Sequence, residues 1–154
     1  MLVNDSHLTT IWVDETDQKI KIIDQRLLPH ELNIVKLSTI KDVEFAIREM
    51  QVRGAPLIGV TAAFGMYLAA LEDPSIEFLN KAADFLIKSR PTAVNLSWAV
   101  KKIKFEISNI DQENRTEHIF NIAKQIREED IDACSKIGDY GLELIKSVHH
   151  KKNS

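Results

Sequence analysis

Two arginines of this 154-residue chain stand where binding of an anion is possible. Arg53 opens the string "RGAP" and Arg90 the string "RPTA", and each leads through a proline and small residues into a run of helical character. A helix N-terminus offers unpaired backbone N–H groups and roughly half a positive charge. An arginine beside it adds a planar fork that takes phosphate oxygens two at a time. Gly54 and Ala55 keep side chains out of the path of an approaching ligand. The same spacing is equally compatible with arginines that only cap the preceding helix or pair with a carboxylate.

The glycines around Arg53 do not form a nucleotide site. In "RGAPLIGVTAAFG", Gly54 and Gly59 mimic the first half of a P-loop, but Val60 and Thr61 follow where the phosphate-gripping lysine belongs. No strand pattern runs into them, and their spacing does not fit the dinucleotide fingerprint.

The elements that must position these corners are mainly helical. Residues 9–24, "TTIWVDETDQKIKIID", read as two short apolar runs around a polar turn, which is a hairpin, and Ile34-Val35-Lys36-Leu37 supplies a third strand. Thr39 and Asp42 have capping-box spacing, and Ile40, Val43, Ile47 and Met50 then recur at helical intervals, with an end near Val52. Gly54 suits a left-handed close to that helix and Pro56 the first turn of the next, which runs to about Leu71 and is apolar nearly all round, so it is buried. A third helix is expected from about Ser75 to Lys88 and a fourth from Thr92. The last, from about Gln112 to Ser147, places Ile119, Ile122, Ile126, Ala133, Ile137 and Leu144 on one side.

The expected fold is thus mainly α: a small N-terminal antiparallel β element followed by a helical domain of about five helices. Residues 1–110 form the hairpin and helical domain, 111–147 a long linking helix, and 148–154 a frayed tail.

Composition narrows the partners. With 44% hydrophobic and 28% charged residues the chain can build one core, and a net charge of −3 offers no basic field for nucleic acid. No apolar run approaches the ~20 residues of a membrane span, and no signal-peptide pattern opens the chain. The single cysteine agrees with a reducing compartment, so a cytoplasmic location is expected. His7, His30, His118 and the pair His149-His150 are too scattered for a metal site. Trp12 and Trp98 read as packing residues, Asp24 and Gln25 as a strand end, and Asn95 as a first-turn residue that bonds locally or faces a ligand. Cys134, beside Ala133 and Ile137, reads as a buried, inert thiol.

Three strings, "KIIDQRLLPHEL", "VRGAPLIGVTAAFGMYLAA" and "SRPTAVNLSWAV", resemble in content and order the N-terminal part of the methylthioribose-1-phosphate isomerase family. Ribose-1,5-bisphosphate isomerases and the regulatory subunits of the translation-initiation guanine-nucleotide exchange factor share that superfamily, and "RPTAVN" favours the methylthioribose branch. The resemblance implies conversion of an aldose 1-phosphate to its ketose, with the corner Arg53, Gly54 and Ala55 holding the phosphate and Arg90 helping to bind the sugar phosphate. It implies no cofactor and no metal. It also places the family's catalytic cysteine and aspartate in a second, Rossmann-like domain beyond these residues. No catalytic role therefore falls on this chain, Cys134 included, and it is expected to be inactive alone. A non-catalytic binding or assembly module of the regulatory-subunit type is the alternative. The last helix, lacking that domain's cover, is expected to self-associate.

Overall fold

The structure, a computed structural model, describes residues 2–3, 6–14, 16–17 and 19–152. Two-residue strands β1 (Leu2–Val3) and β2 (Ser6–His7) pair with each other and were not anticipated from the sequence. The expected hairpin follows as β3 (Ile11–Val13) and β4 (Ile20–Ile23), and β5 (Ile34–Leu37) joins the far edge of β4, giving an antiparallel sheet in the order β3-β4-β5. Its register sets Ile11 opposite Ile22 and Ile22 opposite Val35. Ile20, Ile22 and Ile23 of the central strand are buried.

Five helices complete the chain: α1 (Ile40–Arg48), α2 (Ala55–Glu72), α3 (Ile76–Ser89), α4 (Val94–Glu106) and α5 (Gln112–Lys152), with a short 3-10 turn at Ile107–Asn109. The Thr39–Asp42 capping box forms as its spacing predicts, with both reciprocal bonds in place. Ser75 caps α3 by accepting from the Phe78 amide.

Helix α1 is shorter than expected. It stops at Arg48, and the left-handed residue beyond its end is Met50, at φ 59°, rather than Gly54. Glycine 54 does have positive φ, 94°, but serves as the N-cap of α2. Pattern reading missed this because a methionine seldom takes left-handed geometry and a glycine four residues later takes it freely.

Helix α2 is the axis of the bundle and packs against α1, α3, α4 and α5. By length and composition it comes nearer to a membrane span than the sequence reading allowed, with a mean hydropathy of 1.4, but 67% of it is buried inside the protein. Its lone buried hydroxyl, Thr61, donates to the Leu57 carbonyl. At Gly65 a Cβ would fall 2.7 Å from Val43 Cγ1 and 3.1 Å from Leu86 Cδ1, so the missing side chain is what lets α1 and α3 close on α2.

The first half of α5 is bound into this bundle. Thr116 donates to the Ala70 carbonyl and Arg115 to those of Ile110 and Pro74. Ile119, Ile122, Ala123 and Ile126 are buried. Arg127 then clamps the helix to β3, its Nε donating to the Ile11 carbonyl at 2.9 Å and its Nη2 to Thr9 Oγ1 at 3.0 Å.

Beyond Ile131 the apolar side is left uncovered among the described residues. Ile137, Tyr140, Leu144 and Ile145 are each about 70% exposed. Cys134 is also exposed, which corrects the expectation of a buried thiol, and Ala133 shares its exposure. The helical period was read properly, but burial needs a neighbouring element, and the bundle ends before residue 133. Trp98, expected in packing, is 48% exposed on α4.

Candidate functional site

The two corners singled out in the sequence meet in space. Gly54, Ala55 and Ile58 at the start of α2, together with Arg90, Thr92, Ala93, Val94 and Asn95 leading into α4, line one cleft of about 310 Å³. Close packing of the two helices causes this. A Cβ on Gly59 would lie 3.0 Å from the carbonyl oxygen of Asn95 and 3.3 Å from its carbonyl carbon, so only glycine permits the approach without displacement.

Both helix ends that open on the cleft lack a side-chain cap. Gly54 is the N-cap of α2 and Ala93 that of α4, and neither has a side chain able to accept from the first-turn amides. Helices α1 and α3 are capped by Thr39 and Ser75. At α2 the amides of Ala55 and Leu57 remain, since Pro56 has none; at α4 those of Val94, Asn95 and Leu96 remain. Two helix dipoles thus present their positive ends to the same space.

The arginines behave differently. Arg90 lies at the C-terminal end of α3 and borders the cleft, and among the described residues its guanidinium has no hydrogen-bond or ion-pair partner. Arg53 is exposed and does not line the cleft; its Nη2 donates to the backbone carbonyl of Gln25. The structure therefore joins Gly54, Ala55 and Arg90, and leaves Arg53 at their side, tied to the end of β4.

That tie has a buried base. Asp24 is 1% exposed, and its carboxylate accepts from Arg26 Nε at 3.0 Å, Arg26 Nη2 at 2.8 Å, the Arg26 amide at 3.1 Å and Gln51 Nε2 at 2.9 Å. The Arg26 guanidinium holds the carboxyl well below the usual range, at about 2, with further help from Gln51. Reciprocally, the pKa of Arg26 is raised by Asp24.

Asn95 has a second role in the surface. It also borders a hollow of about 250 Å³ with Pro56, Trp98, Glu129 and Asp130, so the cleft has an acidic flank on its α5 side. Among the described residues no three histidine, cysteine, aspartate or glutamate side chains group to hold a metal ion. Sequence reasoning marked Asn95 but missed Thr92, Ala93 and Val94 as lining and Gln51 as a bonded, buried amide. An uncharged polar residue between Met50 and Val52, just ahead of "RGAP", was the available signal for Gln51.

Comparison with known proteins agrees with the fold. A methylthioribose-1-phosphate isomerase of Sinorhizobium medicae is 45% identical over 152 residues, covering 99% of this chain and 42% of that protein. One from Escherichia coli is 38% identical, covering 99% and 41%. The chain thus spans about two fifths of the length of the curated relatives it matches. Among solved structures, the translation initiation factor eIF-2B subunit delta from A. fulgidus superposes with a TM-score of 0.81 at 35% identity, covering 90% of this chain and 42% of that one. The 5-methylthioribose 1-phosphate isomerase from Pyrococcus horikoshii gives 0.78 at 37%, covering 87% and 40%. Residues 51–152 match the model of the Initiation factor 2 subunit family, and the chain belongs to that family.

Proposed function

We propose that this chain forms the phosphate-side part of a methylthioribose-1-phosphate isomerase, an enzyme of methionine salvage that converts the aldose 1-phosphate to the ketose. The observation that carries the reading is the cleft in which two uncapped helix N-termini converge beside the unpartnered Arg90. A phosphate dianion there would accept from first-turn amides of both helices and take a bidentate contact from Arg90, with Arg53 adding charge from the side. Gly54 and Ala55 admit the anion because neither carries a side chain that would fill the space.

Nothing in this arrangement moves a proton or hydride between C1 and C2 of the sugar. Such a step needs a placed acid, base or hydride path, and the cleft's side chains are an arginine, a threonine, an asparagine and aliphatics. The reactive cysteine and aspartate are assigned to a second, Rossmann-like domain, and these residues alone are read as inactive. Neither cofactor nor metal enters the reading. A cytoplasmic location accompanies it, because a charged sugar phosphate does not cross a bilayer unaided.

An assembly module of the exchange-factor type is the second reading. The fit to the initiation-factor subunit favours it, while the 38–46% identity to isomerases across nearly the whole chain favours the first. In both, the bare apolar side of α5 supports self-association.

Titration with inorganic phosphate, followed by amide NMR, tests the site. Shifts are expected at Ala55, Leu57, Val94, Asn95 and Leu96, with affinity falling about tenfold in Arg90→Ala. Unmoved amides at those positions, or turnover of the aldose phosphate by the purified chain, would overturn the reading.

A further inference from the structure

The end of β4 and the loop between α1 and α2 are joined by a polar ladder. Gln51 is 6% exposed and donates its side-chain amide to the Asp24 carboxylate at 2.9 Å. One step along, the Gln25 amide donates to the Gln51 carbonyl, also at 2.9 Å. One step further, the Gln25 carbonyl accepts from Arg53 Nη2. The Asp24–Gln25 peptide is thus fixed through its N–H, and the next peptide, whose carbonyl holds the arginine, is fixed through its own, since the Arg26 amide donates to Asp24 Oδ1 at 3.1 Å.

We propose that Asp24 and Gln51 are positioning residues for Arg53, setting its guanidinium beside the cleft before any anion arrives. An exposed arginine ordinarily samples many rotamers, and ordering it on binding weakens the complex. Here a main-chain carbonyl fixes one Nη, while the other donors of the guanidinium have no partner among the described residues. The carbonyl can do this only while its peptide is held from behind. Asp24 suits that task because it is almost fully buried and saturated by the Arg26 fork and by Gln51, so it cannot turn to bind Arg53 itself. The Gln25–Arg26 peptide donates its N–H to the Asp24 carboxylate and accepts at its carbonyl from Arg53, and each bond strengthens its neighbour.

The inference rests on the phosphate reading for its purpose, but its geometry is tested without phosphate. Nitrogen-15 NMR of the arginine side chains is expected to give hindered Nη rotation for Arg53, identified by loss of the signal in Arg53→Lys. Gln51→Met keeps the volume and removes the side-chain amide, and it should raise the Arg53 Nη rotation rate about tenfold, the effect of losing one well-placed bond to a charged network. Arg115 and Arg127, bonded elsewhere, serve as internal controls and should not change. Asp24→Asn, which keeps the shape, should free Arg53 in the same way if Gln51→Met fails to fold.

Free rotation of Arg53 in the unaltered protein, or hindered rotation that survives both substitutions, overturns the proposal. If Arg53 is hindered and released by Gln51→Met, yet added phosphate moves no amide of the cleft, positioning stands and the phosphate reading fails.

Discussion

Gly59 lies against the peptide of Asn95 so closely that a methyl group on its Cα would come within 3.0 Å of the Asn95 carbonyl oxygen. The neighbour is main chain at the start of α4 and cannot swing aside as a side-chain tip would. The gap between α2 and α4, and with it the width of the cleft at Gly54 and Arg90, is set by an absent side chain.

Gly59→Ala is therefore expected to destabilise the protein by about 1–3 kcal/mol, the usual cost of overpacking, despite alanine's better helix propensity. Urea unfolding measures the loss. Val94, Asn95 and Leu96 amide shifts should report α4 moving outward, and an unchanged midpoint would mean that α4 yields without strain.

Acid should weaken the fold through Asp24. Its folded pKa of about 2 lies below the ordinary 3.8, so its contribution is complete above the unfolded value and fades as pH falls through the window between them. Stability rises with pH across that window because the unfolded chain binds the proton first. About 1–2 kcal/mol is at stake, the half-exposed Arg26 end being screened by solvent. Thermal midpoints from pH 5 downward should drop more steeply in the unaltered chain than in Asp24→Asn.

Glycine substitutions in α5 should act with the opposite sign to Gly59→Ala. A Cβ added at Gly138 or Gly141 meets nothing within 4 Å. Each change to alanine should stabilise the monomer by about 0.5–1 kcal/mol. Light scattering across a concentration series checks the accompanying proposal of self-association. A mass that rises with concentration, and less so in Gly141→Ala, would locate the contact on this side of the helix; a constant monomer mass would exclude it.

What could be read without coordinates was what depends on neighbours in the chain. The capping box at Thr39 and Asp42, the start of α3 near Ser75 and the apolar girdle of α2 are local, and each formed where its pattern placed it. The misreadings depend on distance. Cys134 and Ile137 continue a correct helical stripe past the last element able to cover them. Met50 takes the left-handed turn that glycine would be expected to take. For the candidate site, the likeness of the two arginine corners was legible, but the bond from Arg53 to Gln25 spans 28 residues and left no periodic trace.

The Arg127 clamp divides α5 into two materials. Up to it the helix is stapled to β3 and buried along one side; beyond it roughly 38 Å of single helix stands in water, braced by i,i+3 and i,i+4 charge pairs such as Asp132–Lys136. Most of a helix's stability in a protein comes from packing of its apolar face, and here that face is exposed. Deuterium should thus enter the backbone from the distal end as a travelling front and halt near Arg127, making one guanidinium the boundary between the part of the protein that breathes and the part that does not.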